Sequence, residues 1–224
     1  IIENDKLQEV ISQVWLDVDL AQKTFGEVET NNLNEYEEQR YRLAEAHLML
    51  KRELRLPNSS NLDAMANYFA NCKDEASASE AYYIQGAYLN YIGENTQAMQ
   101  YLKKAESYRA ASIIRGMTYY KMGRISESEQ LYDIALENYQ KALPYLEEAG
   151  LPLYLASVYR ELGRNTHEES RNQYFGKALA AAQLIGDTIL QMDIRYAQLS
   201  ANQDNSPELA SICQYMCHTA GQKR

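Results

Sequence analysis

His167-Glu168 opens like the zinc-hydrolase pattern H-E-x-x-H, in which two imidazoles four residues apart share one helical face and hold the metal while the Glu takes a proton from water. Position 171 is Arg, so the second imidazole is missing and the zinc reading fails. Cys213, Cys217 and His218 are a second set of ligand-type side chains. The two cysteines fall on one helical face, but positions 217 and 218 point in different directions and no fourth ligand is near in sequence. Side chains four apart run alongside each other rather than converging, which disfavours a disulfide between them. With Cys72 they make three cysteines in all, too few for a disulfide framework. Reduced or buried thiols are expected, and cysteine usage does not decide the compartment. Asn58-Ser59-Ser60 is a glycosylation-type triplet of a kind that also arises by chance. The chain has no Gly-rich phosphate loop, no G-x-S-x-G elbow and no paired C-x-x-C. Its three histidines are scattered. The expectation is a protein that is not an enzyme, with no cofactor and no metal.

Charge narrows the partners. A formal net charge of −9 over 224 residues disfavours direct nucleic-acid binding, which needs a basic footprint, though a local basic patch remains open. No apolar run reaches the roughly 18 residues a membrane helix requires. Hydrophobic residues at 46% and charged residues at 24% are ordinary for a globular chain. Ten Gly and four Pro leave little room for long loops. Tyrosine is over-used, 19 against three Phe and one Trp, and suits a half-buried helix seam with its ring packed and its hydroxyl wet.

The elements that would carry any site are helices. Leu7, Val10, Ile11, Val14, Trp15, Val18 and Leu20 form one apolar stripe, which predicts a helix over 5–24 with Trp15 in the core. Residues 35–54 predict a second, acidic at its start and basic at its end, with Ala44 and Ala46 as close-approach positions. Leu56-Pro57 begins a break, and 62–71 reads as a short helix. Short turns alternate with helical periods throughout, and no period-two run appears, so the class is all-α.

Residues 81–105 show why these helices form a series. Tyr82, Gly86 and Leu89 share one face; Gly93-Glu94-Asn95 breaks the helix; Ala98, Leu102 and Ala105 recur at four and three. The pattern returns: Lys104-Ala105, Lys141-Ala142 and Lys177-Ala178 lie 37 and then 36 residues apart. Gly86, Gly123 and Gly163 precede these alanines by 19, 19 and 15 residues, so the third repeat has lost about one helical turn. Tyr119, Met122, Gly123, Ala135, Tyr139 and Ala142 occupy the places of Tyr82, Gln85, Gly86, Ala98, Leu102 and Ala105. Tyr159, Leu162, Gly163, Phe175 and Ala178 continue the series. Beyond it, 188–201 and 207–219 predict two final helices, Ser206 capping the last and Pro207 in its first turn. Pro144 lies inside the predicted helix 132–149 and would kink or shorten it.

This order of large and small residues resembles the tetratricopeptide repeat (TPR). The resemblance implies a right-handed TPR-like α-solenoid of about five antiparallel helix pairs. It would fill 1–224 as a single array: a degenerate pair at 5–54, repeats at 76–108, 110–149 and 153–185, and capping helices at 188–219. It also implies a concave groove lined by the first helix of each pair. The first-helix positions that peptide-binding members use carry over to Tyr83, Asn90 and Tyr91 in one repeat and Tyr120, Arg124 and Glu127 in the next. In the shortened third they carry over to Arg160, Arg164 and His167. Arg124, Arg160 and Arg164 would then line a groove for an acidic or C-terminal carboxylate segment, since guanidinium forks hold carboxylates at two points. The alternative is that they pair with Glu127, Glu161 and Glu168 as a self-neutralised surface.

The function expected is a protein–protein interaction scaffold holding a peptide or protein. The degenerate front pair and Tyr-rich repeats also look like bacterial envelope-associated TPR proteins, which makes the sensory region of a longer bacterial signalling or transcription-regulating protein the alternative. An enzyme or ligand carrier with a closed pocket inside the superhelix is a third reading. The chain opens on Ile1-Ile2-Glu3 without an initiator Met, which suggests processing. A periplasmic or envelope-anchored placement after signal removal is marginally favoured over a cytoplasmic one.

Overall fold

Side-chain caps set where the helices begin in the computed structural model, which describes residues 5–57, 61–166, 168–203 and 206–221. The Asn58-Ser59-Ser60 triplet, His167 and the side chains of Glu168, Cys217 and His218 lie outside the described residues. Asp17 accepts from the backbone N–H of Asp19 and Leu20 and starts α2 (Val18–Gly26), so the expected helix over 5–24 is two helices, α1 (Asp5–Gln13) and α2. Asn34 and Glu37 form a reciprocal capping box on α3 (Glu35–Glu53), whose last turn carries Lys51 and Arg52 against the helix dipole. Asn61 caps α4 (Leu62–Asn71) and Asp74 caps α5 (Glu75–Tyr91). Then follow α6 (Asn95–Glu106), α7 (Ser112–Ser128) and α8 (Tyr132–Ala149), the last passing through Pro144 as one helix and closing on Gly150 at φ 65. Pro152 opens α9 (Pro152–Asn165), followed by α10 (Glu168–Leu184), α11 (Thr188–Ala201) and α12 (Pro207–Gly221). No strand occurs among the described residues.

These helices group into two units, 1–125 and 126–224. In the first, α5 packs against α4 and α6; in the second, α9 packs against α10 and α8, and α11 against α10. The repeat positions are core positions. Ala98, Leu102 and Ala105 are buried in the first unit, and Ala135, Tyr139, Ala142, Phe175 and Ala178 in the second. Gly86 lies against Leu102, and Gly163 against Phe175. Both are places where any side chain would collide with the second helix of its pair.

The tyrosines tie neighbouring helices together. Tyr82, Tyr119 and Tyr159 hold equivalent places on three first helices, and each hydroxyl donates to the second helix just before it: Asn67 Oδ1 at 3.3 Å, Glu106 Oε1 at 2.9 Å and Glu147 Oε1 at 2.5 Å. Their rings are buried, so each repeat is joined to the one before by an apolar seam with a polar clasp at its edge. Tyr36 to Asp74 (2.8 Å), Tyr101 to Asp63 (2.5 Å) and Tyr139 to Glu127 (2.8 Å) add further clasps.

Burial and the Asp74 carboxylate push the Tyr36 hydroxyl up to about 12, and the Asp63 hydrogen bond with burial does the same for Tyr101. Tyr119 and Tyr159 are raised too, by burial first and then by their Glu acceptors. The folded chain therefore keeps protons that the unfolded chain loses near pH 10, so this contribution is intact below about pH 10 and lost as pH climbs towards about 12. Part of the tyrosinate absorbance should thus appear only together with loss of helical circular dichroism, in one cooperative alkaline transition. A rise in absorbance that is complete for all tyrosines while helicity holds would show that the clasps contribute nothing.

Candidate functional site

In the first unit the residues expected to face a partner divide into packed and exposed ones. Tyr83 is 2% exposed, its ring 5.7 Å from Trp15 and 6.3 Å from His47. It is a core residue and offers no free surface, because Trp15, from the turn between α1 and α2, covers it. Asn90 is half-buried, its amide donating to Asn95 Oδ1 at 3.1 Å. Tyr91 stands 56% exposed at the end of α5. On α7, Arg124 is exposed and its Nη1 donates to the Tyr120 hydroxyl oxygen at 3.3 Å.

Around Trp15 lies a titratable cluster that the sequence reading did not assemble. His47 stacks edge-on against the indole at 4.7 Å, and His47 Nδ1 meets Glu80 Oε1 at 2.6 Å, both side chains buried. Burial pushes the imidazole below its usual range, against the pull of the Glu80 hydrogen bond and charge. Its Nε2 is buried and lacks a hydrogen-bond partner among the described residues. One turn further along α3, Lys51 Nζ lies 3.9 Å above the Trp15 ring. Burial, then the charge of Lys121, lower the Lys51 ammonium to about 8; Lys121 is lowered by burial and by Arg124. Lys51 reads in sequence as a dipole-compensating cation in a last helical turn, and nothing in its spacing announces Lys121.

In the second unit Arg160 and Arg164 are held by carboxylates. Arg160 donates from Nε and Nη2 to Glu161 Oε1 at 3.1 and 2.6 Å, and from Nη1 to Asp193 Oδ2 on α11. Arg164 donates to Glu161 Oε2 at 3.1 Å and reaches Glu127 Oε1 at 3.4 Å. Glu161 is wholly buried. The side chains of Arg160 and Arg164 thus take the self-pairing arrangement with Glu127 and Glu161. Arg164, still 47% exposed, borders an open polar recess of about 350 Å³ together with Glu127, Tyr132 and Arg171. Arg171 is braced by the Ala201 and Thr166 carbonyls.

Among the described residues no group of three or more His, Cys, Asp or Glu is placed to hold a metal. None of the described helices is long and apolar enough to cross a membrane. Cys72 and Cys213 are exposed free thiols.

No family model matches the chain. A similar curated protein is the human "SH3 domain and tetratricopeptide repeat-containing protein 2" (Homo sapiens), 35% identical over 88 residues, a match that covers 35% of this chain and 7% of the relative. The chain therefore spans a small part of that relative's length. A relative from Homo sapiens lends no support to the bacterial envelope resemblance. With its helices in hairpin order and glycines seated against the second helix of each pair, the chain is an all-α array of the TPR-like kind.

Proposed function

We propose that this chain is a protein–protein interaction module that holds a peptide or protein segment on first-helix residues of its first unit, the exposed Tyr91 and Arg124 with the half-buried Asn90 and Tyr120. The observation that carries this reading is the similarity to a TPR-containing protein, joined to a first-helix surface that keeps a tyrosine and an arginine exposed. Such residues suit recognition: a tyrosine ring gives rigid contact area at small entropic cost, and an arginine fork gives directed hydrogen bonds. Arg164 and Tyr132, at the recess in the second unit, would serve as a separate contact. The scaffold role and an acidic partner segment are parts of this proposal, and so is the absence of catalysis.

The test is capture. Tyr91→Ala combined with Arg124→Glu alters exposed side chains only, so helicity and thermal midpoint should stay near the parent. Retention of the native partner from cell extract should fall at least about tenfold, the loss of a single good anchor. Undiminished capture by the double variant rejects this surface. Reversing Arg160 would be a poor choice, because a new carboxylate beside buried Glu161 would probe folding instead.

A further inference from the structure

We propose that the recess in the second unit is a binding site for one carboxylate, carried on an acidic side chain of a peptide partner or on a free organic acid, with Arg164 and Arg171 as its donors. The inference deepens the separate contact named above and rests on that reading for a peptide partner. It is read on Arg164 and Arg171 with small acids, so it can fail while capture through Tyr91 and Arg124 survives, and the reverse.

One cavity joins the two arginines. Glu127, Tyr132, Arg164, Asn165, Thr166 and Arg171 line an open recess of about 350 Å³. Helix ends supply it: Glu127 from the last turn of α7, Tyr132 from the start of α8, Arg164 and Asn165 from the end of α9, Arg171 from the start of α10. Arg164 is turned outward by what lies beneath it. Its side chain is 47% exposed, while its carboxylate partners are deeper, Glu127 at 14% and Glu161 at 0%. Nη1 donates to Glu161 Oε2 at 3.1 Å, and Nη2 stands 3.4 Å from Glu127 Oε1. Arg171 is half-buried and held differently. Its Nη1 donates to the Ala201 carbonyl at 2.5 Å and its Nη2 to the Thr166 carbonyl at 3.3 Å. Carbonyls fix a guanidinium in place without cancelling its charge. Its Nε is buried and lacks a hydrogen-bond partner among the described residues, a donor that native folds rarely leave unused.

The charges on the walls choose the ligand. Two guanidiniums and one carboxylate line the recess, and that carboxylate, Glu127, also accepts the Tyr139 hydroxyl at 2.8 Å. Glu161, beneath, is shared between Arg164 and Arg160. The lining groups carry a surplus of one positive charge. One carboxylate balances it, whereas a phosphate, with close to two charges, would be repelled by Glu127. A carboxylate also has two oxygens to offer to two guanidinium forks. Bracing the last carbonyl of α11 would by itself account for Arg171. It does not account for Arg164, which lines the same recess and keeps nearly half its surface in water. The Tyr132 ring, 56% exposed, gives a flat wall for the chain that carries the group. An open recess suits a group standing out from a larger molecule, since sites for free small ligands enclose most of the ligand surface.

The experiment follows the arginine Nε–H signals of the whole chain by nitrogen-edited NMR, those of Arg164 and Arg171 being assigned by their loss in Arg164→Gln and Arg171→Lys. The titrants are a glutamyl tripeptide blocked at both ends, its glutaminyl counterpart, propionate and inorganic phosphate, with sodium chloride at matched ionic strength as control. The glutamyl peptide should shift both signals saturably, and the glutaminyl peptide and chloride should not. Arg164→Gln, at a half-exposed position, should melt close to the parent and weaken binding at least about tenfold. Arg171→Lys keeps the charge but loses the fork, and should also weaken binding at least about tenfold. A residue that only braces α11 would give a Lys variant that melts lower and binds acids as the parent does. The glutamyl peptide bound more tightly than propionate assigns an acidic side chain; propionate bound as tightly or more so assigns a free acid. The proposal is overturned if both acids match chloride, if phosphate binds more tightly than both, or if either arginine variant binds like the parent.

Discussion

Glu161→Ala is expected to destabilise the second unit by about 3–5 kcal/mol, the cost of breaking a buried ion pair from one side. Glu161 is wholly buried on α9, and its two oxygens take hydrogen bonds from Arg160 at 2.6 and 3.1 Å and from Arg164 at 3.1 Å. Without it, the Arg160 guanidinium, itself only 16% exposed, loses two of its acceptor contacts while that to Asp193 remains. The damage is a half-buried cation stripped of its buried carboxylate, more than the missing Glu side chain itself. Two controls separate these. Arg164→Ala removes a side chain that is 47% exposed and should cost no more than about 1 kcal/mol. The double change Glu161→Met with Arg160→Met removes both charges and should recover most of the loss. Denaturant melts of the three variants check the order. If Glu161→Ala melts with the Arg164→Ala variant, the buried pair is not what holds α9 in place.

That ion pair marks where sequence reading stopped. Arg160 and Glu161 are neighbours in the chain, and Arg-Glu neighbours look like a solvated surface pair. The other carboxylates that meet its two arginines, Asp193 on α11 and Glu127 near the end of α7, are far from it in sequence. The sequence also does not bring Lys51 to Lys121. Local signals fared differently. The helices at 62–71, 132–149 and 188–201 match their expected bounds because a cap or a turn residue punctuates each. The helix expected over 5–24 fails for the opposite reason: its break at Asp17 lies inside an unbroken apolar stripe, where periodicity outvotes a single capping carboxylate. Tyr82, Tyr119 and Tyr159 could be aligned as one repeat position. Their acceptors Asn67, Glu106 and Glu147 follow no fixed offset, so the clasp itself was invisible.

The repeat register makes a second large prediction. Gly163→Val should cost the second unit about 3 kcal/mol. A Cβ on Gly163 would lie 3.0 Å from Phe175 Cε1 and Cζ and 3.1 Å from Cδ1. Phe175 has no exposed surface, so its ring has nowhere to turn. Overpacking of this kind costs about 1–3 kcal/mol, and valine adds two methyl groups beyond the clashing carbon. Against it stands at most ~1 kcal/mol, the gain of alanine over glycine within a helix, and β-branched valine recovers less of it. Gly176→Ala on α10 isolates that gain: nothing lies within 4 Å of its Cβ, so it should stabilise by up to about 1 kcal/mol. Gly86→Ala tests the same contact one unit earlier, against Leu102 Cγ at 2.8 Å and the Ala98 carbonyl at 3.2 Å. Leucine can turn aside but a backbone oxygen cannot, so a net loss of about 1 kcal/mol is expected there. Pairing Gly163→Ala with Phe175→Leu should then couple by at least about 0.5 kcal/mol, since the smaller side chain opens the space the new methyl needs. Strict additivity of that pair would mean the glycine does not seat the second helix, and the repeat would lose the contact that defines it.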